Sequence, residues 1–276
     1  MPVLLIAGIL LQGAGGAESP EHRGDRGGTA VLRDDDGAGA ARESGGEGDR
    51  EDRGQDPDQN QDPSADPDPG PSSDPPAATA AAAEMLDALP VKGRAPKTGY
   101  DRRERFGHGW KDPDRNGCDA RNDTLQRDLT EVVLDGPCKV LSGVLLDPYT
   151  GARIDFVRGD QTSQAVQIDH VVALSDAWQK GAQALTQEQR IAFANDPVNL
   201  LAVDGPANSS KGDGDAATWL PPSRGFRCEY VARQISVKTS YGLWVTAAEH
   251  DAMQRVLDGC PGQPGYTSEL AGVLSR

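Results

Sequence analysis

The stretch VQIDHVVALSDAW, residues 166–178, sets an acid and a base side by side inside an apolar run. Val166, Ile168, Val171 and Val172 give it strand character through Leu174, with Asp169 and His170 at its middle. A buried charge without a partner is costly, so the pair needs either a salt partner or a task. The chain has only four histidines. Even so, Asp-His alone is a weak signal, because a satisfied core histidine beside its salt partner reads the same way. A regular strand sends neighbouring side chains to opposite faces, so this one is expected to end or twist at Asp169.

Toward the C-terminus the period changes. Ser175 reads as an N-cap and Thr186-x-x-Gln189 as a capping box, predicting short helices at about 176–182 and 187–194. VNLLAV (198–203) returns to strand, and the polar loop after it wraps a short helix around Asn208. Asn199 opens that strand, Asn208 follows nine residues later and Lys211 three after that. Asparagine is a poor strand and helix former, so two of them flanking a short apolar strand call for a reason. Further on, Glu229–Tyr241 and Ala247–Leu257 read as amphipathic helices, the second with Thr246 and Glu249 as a capping box.

Toward the N-terminus, DPYTG (147–151) joins strands Lys139–Leu146 and Ile154–Val157 into a hairpin. GWKDPDRNGCDARND (109–123) reads as loop. Its Asp112, Asp114 and Asp119 resemble a calcium loop but miss the EF-hand spacing. Residues 84–89 suggest a short helix.

Composition divides the 276 residues and the net charge of −15 unevenly. Residues 1–17 are uncharged with an apolar run from Val3 to Leu11, too short to span a bilayer and matching the apolar part of a secretory signal. Residues 18–83 hold 17 acidic and 6 basic residues and no aromatic one. Such a segment cannot bury enough apolar surface to order itself and reads as a disordered acidic linker. That leaves −4 for residues 84–276, so the acidity of the whole chain does not exclude a nucleic-acid partner. All four cysteines, Cys118, Cys138, Cys228 and Cys260, lie in this last part without a C-x-x-C. A zinc ribbon is therefore disfavoured, and in an exported protein two disulfides are expected. Three connectivities are possible; the sequence neighbours, Cys118–Cys138 and Cys228–Cys260, are preferred.

Asp169-His170, Asn199, and Asn208 with Lys211 together resemble the HNH, or ββα-metal, nuclease finger. The blocks NGCDARND, GVLLDPYTG, VQIDHVVALSDAWQKGA, FANDPVNLLAV, NSSKGD and WLPP extend the resemblance over roughly 100–260. They are similar to secreted bacterial HNH-family proteins related to the C-terminal nuclease domain of GmrSD-type restriction enzymes. The span between His170 and Asn199 is longer than in the smallest fingers, and Asn208 stands where many members have His.

The resemblance implies an α+β fold, a ββα-metal core with added helices and a hairpin. It implies a metal-dependent endonuclease with His170 as general base, Asn199 supporting the site, and Asp169 and Asn208 holding one divalent cation. Mg²⁺ suits two oxygen donors, with Mn²⁺ as substitute. Lys211, Arg121 and Arg153 are the candidate phosphate contacts. The expected partner is nucleic acid, DNA first, cut with low sequence specificity. No membrane association after processing and no protein partner are expected.

Other motifs are weaker. His108 beside Trp110 could stack a base but suits packing, His250 sits among charges, and neither G-x-S-x-G nor a P-loop is present. Two alternatives stay open: a non-enzymatic disulfide-stabilised extracellular binding domain, and a defence nuclease acting on modified DNA.

Overall fold

The structure is a computed structural model that describes residues 81–160 and 162–274. The signal-like segment 1–17 and the linker up to residue 80 lie outside the described residues. Residues 82 and 83, assigned to the linker from composition, instead begin the first helix, α1 (Ala82–Ala88), where Ala82 and Leu86 are buried. Alanine is the best helix former, and a packed face turns that preference into structure.

An irregular segment then leads through α2 (Arg102–Phe106) to α3 (Ala120–Asp128). Asp119 caps α3 by accepting from the Asn122 amide at 2.9 Å, so the helix starts inside the stretch read as loop. The hairpin is one strand richer than expected: β1 (Leu129–Asp135), β2 (Lys139–Leu146) and β3 (Arg153–Val157) form an antiparallel sheet in that order. β1 escaped detection because its alternation is broken. Its pairing slips between Thr130 and Val133, where Glu131 takes a φ of 53°, as a bulge does.

β4 (Val166–His170) pairs antiparallel with β5 (Leu200–Asp204), with Asp169 opposite Leu201 and His170 opposite Leu200. Between them stand α4 (Leu174–Gln179) and α5 (Gln187–Ala194), and directly after β5 comes α6 (Gly205–Lys211). β4, β5 and α6 are a ββα unit with a helical insertion. Gly205 allows α6 to start where it does: a Cβ there would lie 2.1 Å from the Gln164 carbonyl. α5 carries the expected capping box of Thr186 and Gln189. α4, by contrast, starts at Leu174 with Ala173 as its N-cap and no side-chain cap, and Ser175 lies buried within it.

β5 reads Leu-Leu-Ala-Val with all four side chains buried, the pattern of a strand covered on both faces. One face joins Val166, Ile168, Leu200 and Ala202 to α3 and the three-stranded sheet. The other joins Leu201 and Val203 to α1, α7 (Arg227–Ser240) and α8 (Ala247–Leu257). The outer edge of β5 is closed by side chains: Asp128 accepts from the Ala202 amide at 2.8 Å and Asp147 from the Asp204 amide at 2.9 Å. Those bonds satisfy donors that a third strand would otherwise take. α8 ends the expected pair of long helices with its Thr246–Glu249 capping box, and α9 (Glu269–Leu274) follows.

The structure joins Cys118 to Cys138 and Cys228 to Cys260, with Cα separations of 5.3 and 6.1 Å. No helix among the described residues is long and apolar enough to cross a membrane.

Candidate active site

β4 stays in regular register to its last residue, so Asp169 and His170 meet different neighbours. On one side, Gln167 and Asp169 face α6. Lys211 donates to Asp169 Oδ1 at 2.9 Å and to the His170 carbonyl at 2.8 Å, and Asn208 donates through Nδ2 to Gln167 Oε1 at 2.9 Å. Asn208 and Lys211 are three residues apart and so share one face of the helix. Tyr149, from the DPYTG turn, donates its hydroxyl to Asp169 Oδ2. Asp169 is 5% exposed and the Lys211 side chain fully covered. Burial, followed by the charge of Asp169, raises the Tyr149 phenol well above its ordinary value, so it remains a donor.

On the other side His170 Nε2 meets the Ala194 carbonyl at 2.8 Å, and the imidazole lies against Trp110, ring centroids 5.9 Å apart and planes 10° apart. A carbonyl accepts only, so Nε2 carries the hydrogen and Nδ1 keeps a lone pair. The orienting carbonyl comes from the end of α5 and not from β5, because the insertion folds its last turn back over the strand end. Burial first, then the positive charges of Arg102 and Lys211, push the imidazole down to about 3 against the opposing pull of the Ala194 carbonyl. The ring is therefore neutral near pH 7.

Asn199 is fully buried just before β5. Its Oδ1 accepts from the Val172 amide at 2.8 Å, its Nδ2 donates to the Phe193 carbonyl at 3.2 Å, and its carbonyl accepts from the Val171 amide at 2.8 Å. Asn199 thus laces the exit of β4 to α5. The remaining sequence candidates lie elsewhere. Arg121 is half-buried in the first turn of α3. Arg153 opens β3 and pairs with Asp155 at 3.2 Å. Lys211 is turned inward onto Asp169, so its ammonium is committed before any phosphate arrives.

A hard divalent cation takes oxygen donors and keeps several waters. Asp169 offers two carboxylate oxygens, each with a lone pair beyond the hydrogen bond it accepts. Asn208, with its nitrogen committed to Gln167, offers its amide oxygen from the facing helix. This donor set fits such an ion. Among the described residues there is no cluster of three or more His, Cys, Asp or Glu suited to a metal.

Three features escaped sequence reading. Tyr149 sat in a turn whose other residues suffice to explain it. Trp110 stands in the sequence only as the neighbour against which His108 could pack, yet it covers His170. The third is a buried charge cluster. Lys180 pairs with Asp176, Asp215 and Glu249 at 2.7, 2.8 and 2.6 Å. Lys238 pairs with Glu249 at 2.9 Å and Asp176 at 3.3 Å. Arg94 reaches Asp176 at 3.0 Å and Asp215 at 2.6 Å. Three cations balance three carboxylates, which is what makes their burial tolerable. A signal existed for Lys238: it continues the buried face of α7 three residues after Ile235.

An uncharacterized secreted protein of the fungus Arthroderma benhamiae is 39% identical over 185 residues, 66% of this chain and 86% of the relative. No solved structure matches the chain. Residues 119–256 match the family described as GmrSD restriction endonucleases, C-terminal domain. The function is accordingly nuclease-related. With half its length inside that match and the ββα unit within it, the chain belongs to the GmrSD restriction endonuclease C-terminal domain family.

Proposed function

We propose that the protein is an exported endonuclease that hydrolyses phosphodiester bonds of DNA with low sequence specificity, RNA being the second substrate to test. His170 is the general base, and Asp169 with Asn208 holds a single divalent cation, Mg²⁺ first and Mn²⁺ as substitute. The observation that carries this reading is the pinned imidazole: Nε2–H is spent on the Ala194 carbonyl, which leaves the lone pair of His170 on Nδ1. Two disulfides, which persist in oxidising compartments, support export.

In this mechanism His170 accepts the proton of the attacking water at Nδ1. Trp110 and the Ala194 carbonyl hold the ring in one orientation. Asn199 keeps the end of β4 in place, and Lys211 and Tyr149 orient the Asp169 carboxylate. The bound cation supplies positive charge against the charge developing on the phosphate and the leaving 3′ oxygen.

The test is cleavage of plasmid and of a single-stranded RNA in Mg²⁺, with and without chelator. Wild type cuts and chelator stops it. His170→Ala loses nearly all cleavage while keeping its fold. Asn208→Gly, which offers no oxygen, is nearly inactive. Wild-type activity in Asn208→Gly removes Asn208 from the metal site. Equal activity in His170→Ala removes the base, and inert wild-type protein with Mg²⁺ and with Mn²⁺ removes the nuclease reading.

A further inference from the structure

The basic residues of the folded part are concentrated in one segment. Residues 91–111 hold seven Lys or Arg and two acidic residues, a charge of +5, while the rest of 84–276 carries −9. A +5 segment on an otherwise acidic body is a focused positive field.

This segment is largely irregular yet firmly attached. Lys92 donates its amide to the Val245 carbonyl at 2.9 Å and Ala95 to that of Gln179 at 2.8 Å. Trp244 Nε1 donates to the Gly93 carbonyl at 3.0 Å, and Arg190 Nε to that of Arg105 at 2.9 Å. The chain therefore lies as a strap over α4 and α5. Its first half spends charge on that attachment: Arg94 joins the buried cluster, and Lys97 meets Asp213 at 3.1 Å.

Apart from Arg105, whose guanidinium lies 5.5 Å over the Trp178 ring, the second half does not. Arg102, Arg103 and Lys111 are exposed, and among the described residues none has a carboxylate within 4.0 Å. This half is anchored to the elements that hold the imidazole. Phe106, one turn after Arg102, packs on Phe193 with centroids 6.0 Å apart, next to the Ala194 that orients His170. Lys111 donates its amide to Asn195 Oδ1 at 2.9 Å, and its neighbour Trp110 covers His170. Solvated cations without a carboxylate partner are thus carried by a mount that is tied at both ends to the elements around His170.

We infer that the strap from Arg102 to Lys111 is the track for the nucleic-acid backbone, with Arg102, Arg103 and Lys111 meeting the phosphates that flank the scissile bond. This rests on the nuclease reading and deepens it. It moves the phosphate contacts away from Lys211, whose ammonium is spent on Asp169, to side chains with no internal partner. Contacts of this kind position the duplex without reading bases, which accords with low sequence specificity. They also release counterions, so affinity falls with salt at a slope of about −0.9 per phosphate contact.

The experiment is fluorescence anisotropy of a fluorescein-labelled duplex with the full chain in EDTA, which prevents cleavage, across a salt series. The triple variant Arg102→Gln/Arg103→Gln/Lys111→Gln is expected to bind at least about 10-fold more weakly and to lose about 2 to 3 from the salt slope. The control Lys139→Gln/Arg255→Gln, equally exposed but off the strap, changes affinity by less than about twofold. If the triple variant misfolds, Arg103→Glu alone is the substitute and must lower affinity in the same direction. A wild type that neither binds nor cuts DNA sinks the nuclease reading itself. A wild type that cuts DNA while the triple variant keeps its affinity and salt slope sinks the strap alone. A parallel arm uses vesicles of equal parts phosphatidylcholine and phosphatidylglycerol. Vesicle binding lost by the variant with duplex binding unchanged makes the strap a membrane contact and overturns the proposal.

Discussion

Trp110 lies almost parallel over His170, 10° between the planes and 5.9 Å between the centroids, so an irregular loop supplies one wall of the imidazole's seat. Trp110 holds the ring without reacting. Trp110→Ala is expected to lower kcat by about 10- to 100-fold with KM changed far less, because orientation is lost while substrate contacts remain. Trp110→Phe, which keeps a flat ring, restores most of kcat. A Trp110→Ala enzyme whose whole loss lies in KM makes Trp110 a substrate contact instead.

Lys211 and Asp169 form a covered ion pair at 2.9 Å. Removing one member of such a pair leaves the other charge buried alone, so Lys211→Met is expected to cost about 3–5 kcal/mol in urea unfolding with EDTA present. Adding Asp169→Asn to Lys211→Met recovers part of that loss. If Lys211→Met leaves stability unchanged and only weakens DNA binding, Lys211 is a phosphate contact after all.

Asn199 bridges the Val172 amide and the Phe193 carbonyl. Asn199→Ala leaves both buried groups unpaired and is expected to cost about 2 to 4 kcal/mol. Turnover falls with it, while the Mg²⁺ concentration for half-maximal cleavage stays put. A shift in that metal requirement would place Asn199 on the ion.

The buried cluster sets an acid limit on stability. Burial works to raise the Asp215 carboxyl, but hydrogen bonding and charge from Lys180, then Arg94, hold it below its ordinary 3.8. A depressed carboxyl contributes stability that is complete above 3.8 and lost as pH falls through the lower folded value. Lys238 is the mirror case. Burial lowers it, Glu249 and Asp176 outweigh burial and raise it, and its contribution is complete below 10.5 and lost as pH rises through the raised value. Asp215→Asn should therefore lower Tm at pH 7 and flatten its decline below pH 3.8. An acid limb as steep in Asp215→Asn as in wild type rules Asp215 out as its source.

Each disulfide closes a loop, of 20 and 32 residues, worth about 3–4 kcal/mol on the chain-entropy account. Cys118→Ala/Cys138→Ala should lose turnover as well as stability, because Cys118 anchors the loop that carries Trp110. Cys228→Ala/Cys260→Ala should lose stability only. Equal turnover loss per degree of Tm in both would show that the first disulfide has no special tie to the site.

Local signals carried much of the fold. Capping boxes are complete within four residues, so Thr186 and Thr246 marked their helices in the sequence. Strand β2 is a mostly aliphatic run ended by the DPYTG turn and was legible to the residue. β1 was not, because a bulge at Glu131 is visible only against the partner strand. Ser175 misled because a good N-cap residue is also an ordinary buried one, and only packing distinguishes them.

The sequence alone determined which residue types stand at the centre: an acid beside a histidine, two asparagines at fixed steps and a downstream lysine, all on a ββα unit. Those are chain-local facts, set by spacing and period. Only the tertiary structure decided what each one touches. It turned Lys211 inward onto Asp169, brought Ala194 rather than β5 to orient His170, laid Trp110 over that ring, and gathered Arg94, Lys180, Lys238, Asp176, Asp215 and Glu249 into one neutral cluster. Such contacts join residues tens of positions apart. Their energy comes from pairing charges in a dry interior, a term that does not exist until the chain has folded.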